Sequence, residues 1–194
     1  PDGQAKTDGI AVGEATAQAV LAARLKDNFY NTATYSNPAA NPGVWQSTMT
    51  ATPYATAGAN DYAMALTMPL TASSPDARRL KAPPRLTSGK YRRDFEETKA
   101  YGSLTSTNRT PAMTNVVQFW TESGFTLWSR NVRDIVAARG LDEFEAARAL
   151  AAFSVATGDA MLACFESKYA HNFWRPWQGV QRADQDGNPR THPE

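Results

Sequence analysis

Residues 141–176 read LDEFEAARALAAFSVATGDAMLACFESKYAHNFWRP, which is one long helical pattern with a marked start and stop. The Asp-x-x-Glu at 142–145 resembles a capping box. Pro176 disfavours helix at the residue before it, so we expect the helix to end between Asn172 and Trp174. Its many alanines allow neighbouring helices to approach closely. One continuous face is predicted to comprise Ala147, Leu150, Ala151, Ser154, Met161, Phe165 and Lys168.

Two cations near the end of this helix, Lys168 and Arg175, are seven residues apart. Seven steps of about 100° make roughly two turns, so both side chains lie on one stripe if the helix persists that far. The stripe is predicted to face the core, and the positions one turn from Lys168 hold Cys164, Phe165, His171 and Asn172, none of them a carboxylate. A buried ammonium requires a counter-charge. A bound tetrahedral oxyanion could supply it, because Lys and Arg together suit such a ligand. Alternatively, the two side chains pair with distant acidic residues or extend into water.

The rest of the chain indicates further helices separated by one long irregular segment. We predict an amphipathic helix over about residues 12–29, ending near Asn31. Residues 34–90 hold most of the prolines and show no sustained period, so we predict an ordered but irregular arm, with a disordered linker as the alternative. Trp45, Tyr54 and Tyr62 give this arm apolar surface to bury.

Helix start and stop signals recur after the arm. We expect a short helix from Asp94 to Tyr101, and a second that begins at the N-cap pair Thr110-Pro111. Ser123-Gly124 bends or divides that second helix, and Gly140 stops it. The chain contains no alternating strand pattern and no internal repeat, so we predict an all-α helical bundle in which residues 1–194 form a single domain.

Composition limits the possible partners. The chain has 194 residues, 42% of them hydrophobic, enough to bury the core of one domain. Lys plus Arg number 20 against 19 Asp plus Glu, and a net charge of +1 gives no basic footprint for nucleic acid. No run approaches about 18 apolar residues, so no membrane span is predicted. Cys164 is the only cysteine and is predicted to be a small buried hydrophobe.

Several other residues admit two interpretations. His171 is either an acid/base group or structural, and we favour the structural role. Trp174 and the nearby aromatics either line a substrate mouth or pack the helix end, and we favour packing. Asp159 lies on the face opposite Lys168 and is predicted to be a buried hydrogen bonder. Residues 184–189 imitate half of a calcium loop but misplace its glycine and lack its Glu, so we predict a tight turn and no metal site.

The Lys-x6-Arg-Pro pattern at 168–176 is the first signature of the type 2 phosphatidic acid phosphatase superfamily. The chain resembles the soluble, vanadium-dependent haloperoxidase-related branch of that superfamily over about residues 8–192. The motifs that carry the resemblance are Pro42-Gly-Val-Trp45, Ala82-Pro-Pro-Arg-Leu-Thr-Ser88, Gly102-Ser-Leu-Thr-Ser106, Arg109-Thr110, Phe119-Trp120, Ala160 to Tyr169 and Asp184-Gln-Asp-Gly-Asn-Pro189.

The resemblance implies that Lys168 and Arg175 hold the oxygens of vanadate or phosphate. Phe165, His171 and Trp174 are the candidate substrate-lining residues. At the position of Phe165 the fungal chloroperoxidases of the family have Trp near the halide. The family's second and third signatures, Pro-Ser-Gly-His and Ser-Arg-x5-His, do not occur in this sequence. These carry the acid/base histidine and the histidine that ligates vanadate or attacks phosphate.

Three functional hypotheses follow from the resemblance. The intact protein either oxidises halide with hydrogen peroxide at a histidine-held vanadate, or hydrolyses phosphomonoesters in the same pocket. In the third, the chain is a non-catalytic helical half that self-associates or needs a C-terminal companion segment, and is inactive alone. The family also suggests export.

Overall fold

The computed structural model describes residues 2–36, 38–46 and 62–193, and within these ranges the chain is all-α, as predicted. The one β-type contact there is an isolated antiparallel bridge between Val44 and Phe173. The helices are α1 (Gln4–Arg24), α2 (Tyr62–Ala65), α3 (Gly89–Gly102), α4 (Pro111–Phe119), α5 (Gly124–Ala138), α6 (Glu143–His171) and α7 (Pro176–Gln181), with 3-10 turns at Pro75–Arg78 and Ala183–Gln185.

Helix α6 is the longest element, and both of its ends follow from local chemistry. The Asp142 carboxylate accepts a bond from the Glu145 N–H at 2.8 Å, and the Glu145 carboxylate accepts one from the Asp142 N–H at 3.3 Å, which confirms the capping box. The helix ends at His171, one residue before the predicted range. Asn172 follows in the left-handed conformation with φ of 44° and donates its N–H to the Lys168 carbonyl at 2.9 Å.

Within the described residues, the predicted apolar stripe of α6 is left largely uncovered. Lys168 and Cys164 are exposed, and Met161 and Phe165 are only half-buried. The buried residues of α6 lie on another face and are Asp159, Leu162, Glu166 and Ser167. Small apolar residues surround much of this helix, so apolar spacing alone did not identify the side on which the arm packs.

The arm packs on that buried face through polar links. Asp159 accepts hydrogen bonds from the backbone N–H groups of Leu70 at 2.6 Å and Thr71 at 2.8 Å, and from the Thr71 hydroxyl at 2.5 Å. Asp159 is therefore the buried hydrogen bonder that was predicted, although its partners lie in a loop. Helix α2 and the 3-10 turn at Pro75–Arg78 lie against α6 on either side of this link.

Further along, Arg79 forms an ion pair with Glu166, and the Leu80 N–H donates to the Ser167 hydroxyl at 2.9 Å. The arm is thus ordered and largely irregular where it is described, with two short helical turns. Residues 47–61, which include Tyr54, lie outside the described residues.

A small aromatic core joins α3 to α7. Its buried members are Tyr91, Phe95, Trp174, Val180 and Ala183. Helix α3 starts at Gly89, five residues before the predicted start, because the Ser88 hydroxyl accepts the Tyr91 N–H at 3.1 Å and forms an N-cap that was not predicted.

Helix α1 is displaced from its predicted range. It runs from Gln4 to Arg24, buries no residue, and ends before a turn in which Asn28 has a φ of 73°. The Arg24–Asp27 ion pair at 2.7 Å and the bond from the Arg24 side chain to the Met68 carbonyl fix this turn to the arm. Leu21 and Leu25 of the predicted apolar stripe are exposed.

Helices α4 and α5 begin and end at the predicted start and stop signals. The Thr110 hydroxyl caps α4 by accepting the Met113 N–H at 3.2 Å, the two helices divide at Ser123-Gly124, and Gly140 has a φ of 59° after α5. Their apolar side chains are nevertheless largely exposed, notably those of Met113, Val116, Val117, Phe119, Trp120, Phe125, Trp128 and Ile135.

The total surface reflects this exposure. The chain presents 13923 Å² to solvent, whereas a compact monomer of 21.1 kDa exposes about 9,000 Å². By length and composition, helix α6 is long and apolar enough to cross a membrane. A stretch of 18 of its residues has a mean hydropathy of 1.3, and 17% of that stretch is buried. One such helix is weak evidence for a membrane span, because core helices pass the same test.

Candidate functional site

Residues 43–45 and 172–174 pair with each other and form the frame of the candidate site. The Trp174 N–H donates to the Gly43 carbonyl at 2.9 Å, and the Trp45 N–H donates to the Asn172 carbonyl at 2.9 Å. Gly43 has a φ of +82°, and an added Cβ there would lie 3.2 Å from Leu86 Cδ1, so the turn requires glycine. This pairing brings Trp45 beside the end of α6.

Next to this pairing, at the C-terminal end of α6, lies a cavity of about 210 Å³ that is open to solvent. Lys168 and Arg175 both line it, so the structure brings the two predicted site residues to one cavity. The lining is completed by Trp45, Tyr169, Asn172, Phe173 and Pro176. None of these described lining residues bears a carboxylate.

Lys168 has an aromatic environment. Its Nζ atom lies 4.8 Å from the centre of the Phe165 ring and 5.2 Å from the centre of the Tyr169 ring. Both distances are within the range of cation–π attraction. The ammonium is therefore held toward the cavity wall by ring faces while the residue as a whole remains exposed.

Arg175 lies on the extended residue between α6 and α7, where Pro176 prevents helix, as predicted. Its N–H donates to the Gln178 side-chain oxygen at 3.0 Å, and the Gln178 amide donates to the Gln46 carbonyl at 2.7 Å. Among the ion pairs of the described residues, none involves Arg175. Its backbone is thus fixed, while its guanidinium is exposed and open to a ligand.

Behind the cavity, Asn172 contacts a cluster of tyrosines. The Tyr35 hydroxyl donates to Asn172 Oδ1, and the ring of Tyr35 lies 5.3 Å from that of Tyr62 and 5.0 Å from that of Tyr169. Burial, followed by the neighbouring Tyr62, raises the pKa of Tyr35 despite its bond to Asn172. The hydroxyl therefore stays protonated and orients the Asn172 amide.

The other predicted site residues are distributed differently. Phe165 contacts Lys168 but does not line the cavity. The His171 ring nitrogen Nε2 lies 2.8 Å from the Leu80 carbonyl, on the side of the arm. Trp174 is 3% exposed and belongs to the α3–α7 core. Neither His171 nor Trp174 lines the cavity of Lys168 and Arg175.

Three lining residues were not predicted as site residues: Trp45, Tyr169 and Asn172. Phe173, which also lines the cavity, was among the aromatics for which packing was favoured over lining a substrate mouth. Trp45 belongs to a motif on which the family resemblance rests, and that was the only signal for it. Its approach to α6 depends on a contact between distant parts of the chain, which no local pattern encodes.

The lining residues suit an oxyanion but do not complete a vanadate site. The chain has two histidines, and neither His171 nor His192 lines the cavity. The lining residues thus include two cations that can bind the oxygen atoms of vanadate, but no histidine that can bind its metal.

The segment at 184–189 forms a turn, as predicted. The Asp186 carboxylate accepts the Asn188 N–H at 2.7 Å and the Thr191 hydroxyl at 2.6 Å, and Gly187 has a φ of +70°. In the described ranges no three acidic, histidine or cysteine residues are grouped as a metal site.

No protein-family model, curated protein or solved structure matches this chain.

Proposed function

We propose that this chain binds a tetrahedral oxyanion, phosphate or vanadate, between Lys168 and Arg175, as the oxyanion-holding part of a vanadium-dependent haloperoxidase-like protein. The observation that carries the proposal is that both cations line one small cavity. The Lys-x6-Arg-Pro spacing and the motif series that resembles the haloperoxidase-related branch support the same assignment.

The two cations have complementary roles. The Arg175 guanidinium is planar and donates two parallel bonds to adjacent oxygens, whereas the Lys168 ammonium acts as a point charge. A hydrogen bond to a charged group contributes about 1.5–3 kcal/mol net, so two cations provide about 4–5 kcal/mol. This corresponds to a dissociation constant of about 1 mM or slightly below.

Turnover requires groups that the cavity does not present. Both halide oxidation and the alternative, phosphomonoester hydrolysis, need a histidine beside the bound oxyanion, and neither His171 nor His192 lies there. We therefore propose that a companion segment supplies it. When bound there, vanadate would supply peroxide activation; Lys168 and Arg175 would hold its oxygens and balance its charge.

Exposed apolar surface on α5 and α6 supports the proposal that a companion segment associates with this chain. Helices α5 and α6 form the walls of an apolar slot of about 320 Å³, whose lining includes Phe125, Trp128, Phe153, Met161 and Cys164. Clusters of large exposed apolar side chains are uncommon on soluble monomers unless something covers them. We propose that additional helices, from a companion segment or a second copy of the chain, fill this slot.

Phosphate titration by isothermal calorimetry tests the oxyanion proposal. Lys168→Gln and Arg175→Gln should each weaken binding about 30–70-fold, because each removes one of the two cations and so about half of the binding free energy. Lys90→Gln, which removes an exposed cation outside the cavity, is the matched control. Equal affinity in all four proteins, or equal weakening by the control, would mean that phosphate binds without a defined site.

A further inference from the structure

We propose that the hollow between α3 and α7 binds the organic group of an oxyanion ester, and that this group is flat and apolar, such as an aryl ring. The inference rests on the proposed function, because the head group of the ester would occupy the cavity of Lys168 and Arg175. It adds a second subsite and restricts the class of ligand.

The two cavities adjoin at a single point of the chain. The hollow has a volume of about 650 Å³, and Arg175 and Pro176 line both it and the 210 Å³ oxyanion cavity. An ester whose oxyanion contacts Arg175 therefore has its organic substituent next to the hollow. The smaller cavity suits an ion, whereas the hollow falls in the range of about 300–1,000 Å³ that is typical of small-molecule sites.

The walls of the hollow favour an uncharged ring. Pro176, Trp177 and Val180 line it on the α7 side, and Gly102 lines it on the α3 side without a side chain. Thr98, Ser103 and Gln181 also line it and are polar but uncharged, and none of the described lining residues is acidic. Lys99 also lines the hollow, but its Nζ donates to the His192 and Pro193 carbonyls at 3.1 and 3.2 Å, so this ammonium is already engaged.

The packing of α7 explains why Trp177 is available. The opposite side of α7 is fixed, since a Cβ added at Gly179 would lie 3.1 Å from Trp174 Nε1 and 3.4 Å from the Tyr91 hydroxyl. Trp177 remains 45% exposed beside the hollow. Aromatic side chains at binding sites supply a rigid, flat surface for stacking. Arg175, Pro176 and Trp177 thus place oxyanion and ring recognition in three consecutive residues.

Calorimetric titration of the full chain with inorganic phosphate and with phenyl phosphate tests the inference. Phenyl phosphate should bind about tenfold more tightly, because the ring stacks on Trp177 and leaves water. Trp177→Ala should bring the ratio of the two dissociation constants to about one. Trp128→Ala, which removes a tryptophan of similar exposure from α5, should leave the ratio unchanged.

The outcomes separate the two proposals. Binding of phosphate with no preference for phenyl phosphate overturns the aryl subsite and leaves the oxyanion site standing. A preference that Trp177→Ala does not reduce also overturns the subsite. If neither compound binds at a concentration about ten times the expected dissociation constant of about 1 mM, both proposals are wrong. Far-UV circular dichroism of each variant shows whether a lost preference reflects lost helix.

Discussion

Asp159→Asn should detach the arm from α6 at one defined point. Both oxygens of the Asp159 carboxylate accept backbone N–H groups, that of Leu70 at one oxygen and that of Thr71 at the other. An asparagine has one acceptor oxygen, so its NH₂ group would face one of these donors. Asp159 is 4% exposed, and water therefore has little access to replace the lost acceptor.

The expected cost follows from the lost contacts. Losing one hydrogen bond to a charged acceptor costs about 1.5–3 kcal/mol, and the donor left facing the NH₂ group adds a penalty of similar size. We expect a loss of about 3–6 kcal/mol from the free energy of unfolding, measured by urea denaturation followed by circular dichroism. Amide hydrogen exchange of residues 66–74 should rise in parallel, because the local link has been removed.

The pH dependence supplies an independent check. Burial alone would raise the pKa of Asp159, but the bonds from Thr71 and from the Leu70 and Thr71 N–H groups outweigh it and lower the pKa below its usual value. A carboxyl whose pKa is lower in the folded state stabilises the fold above its unfolded pKa of about 3.9, and this stability is lost as pH falls through the folded value. Asp159→Asn should remove this acid-dependent component.

Asp134→Asn, at an exposed position of α5, is the matched control and should change stability by less than about 0.5 kcal/mol. The reasoning fails if Asp159→Asn leaves both the unfolding free energy and the exchange of residues 66–74 at wild-type values. It also fails if the control variant shows the same losses.

Three further predictions concern the core and the exposed faces. Gly179→Ala should lower the free energy of unfolding by about 1–3 kcal/mol, since its Cβ would crowd Trp174 at 3.1 Å; unchanged urea denaturation would contradict this. Burial, then Asp186, raises the pKa of Tyr91 to about 12, so stability should fall as pH rises from about 10 toward 12, and Tyr91→Phe should flatten that fall in denaturation series. Light scattering should show a dimer or larger assembly at micromolar concentration that Trp128→Glu weakens, whereas a monomer would show that the α5–α6 slot stays uncovered.

The sequence was sufficient where local chemistry decides the structure. The Asp142–Glu145 capping box, the Thr110 cap and the Gly140 stop all form as predicted. Each depends on residues within a few positions of one another, so tertiary contacts had little opportunity to override them. The start of α3 was predicted late, although the Ser88 hydroxyl that caps it is an equally local signal.

Features that depend on contacts between distant parts of the chain were harder to predict from the sequence. The face that α6 buries is selected by Asp159, Glu166 and Ser167, whose partners lie roughly 90 residues earlier in the arm. The burial of Asp159 was predicted, but a pattern that counts only apolar residues assigns Glu166 and Ser167 to solvent. The composition of the oxyanion cavity was similarly inaccessible, because Trp45 reaches it through hydrogen bonds to residues 172–174.

The position of Lys168 connects the site to the uncovered surface. The arm closes one face of α6 with polar links, and Lys168 lies on a part of the helix that the arm leaves exposed, one to two turns beyond Met161 and Cys164 of the apolar slot. Helices that cover the slot would also lower the dielectric around the Lys168 ammonium. A charge pair at fixed distance gains strength as the effective dielectric falls. Association and oxyanion binding should therefore be coupled, and by linkage phosphate should strengthen the assembly by the same factor by which assembly strengthens phosphate binding.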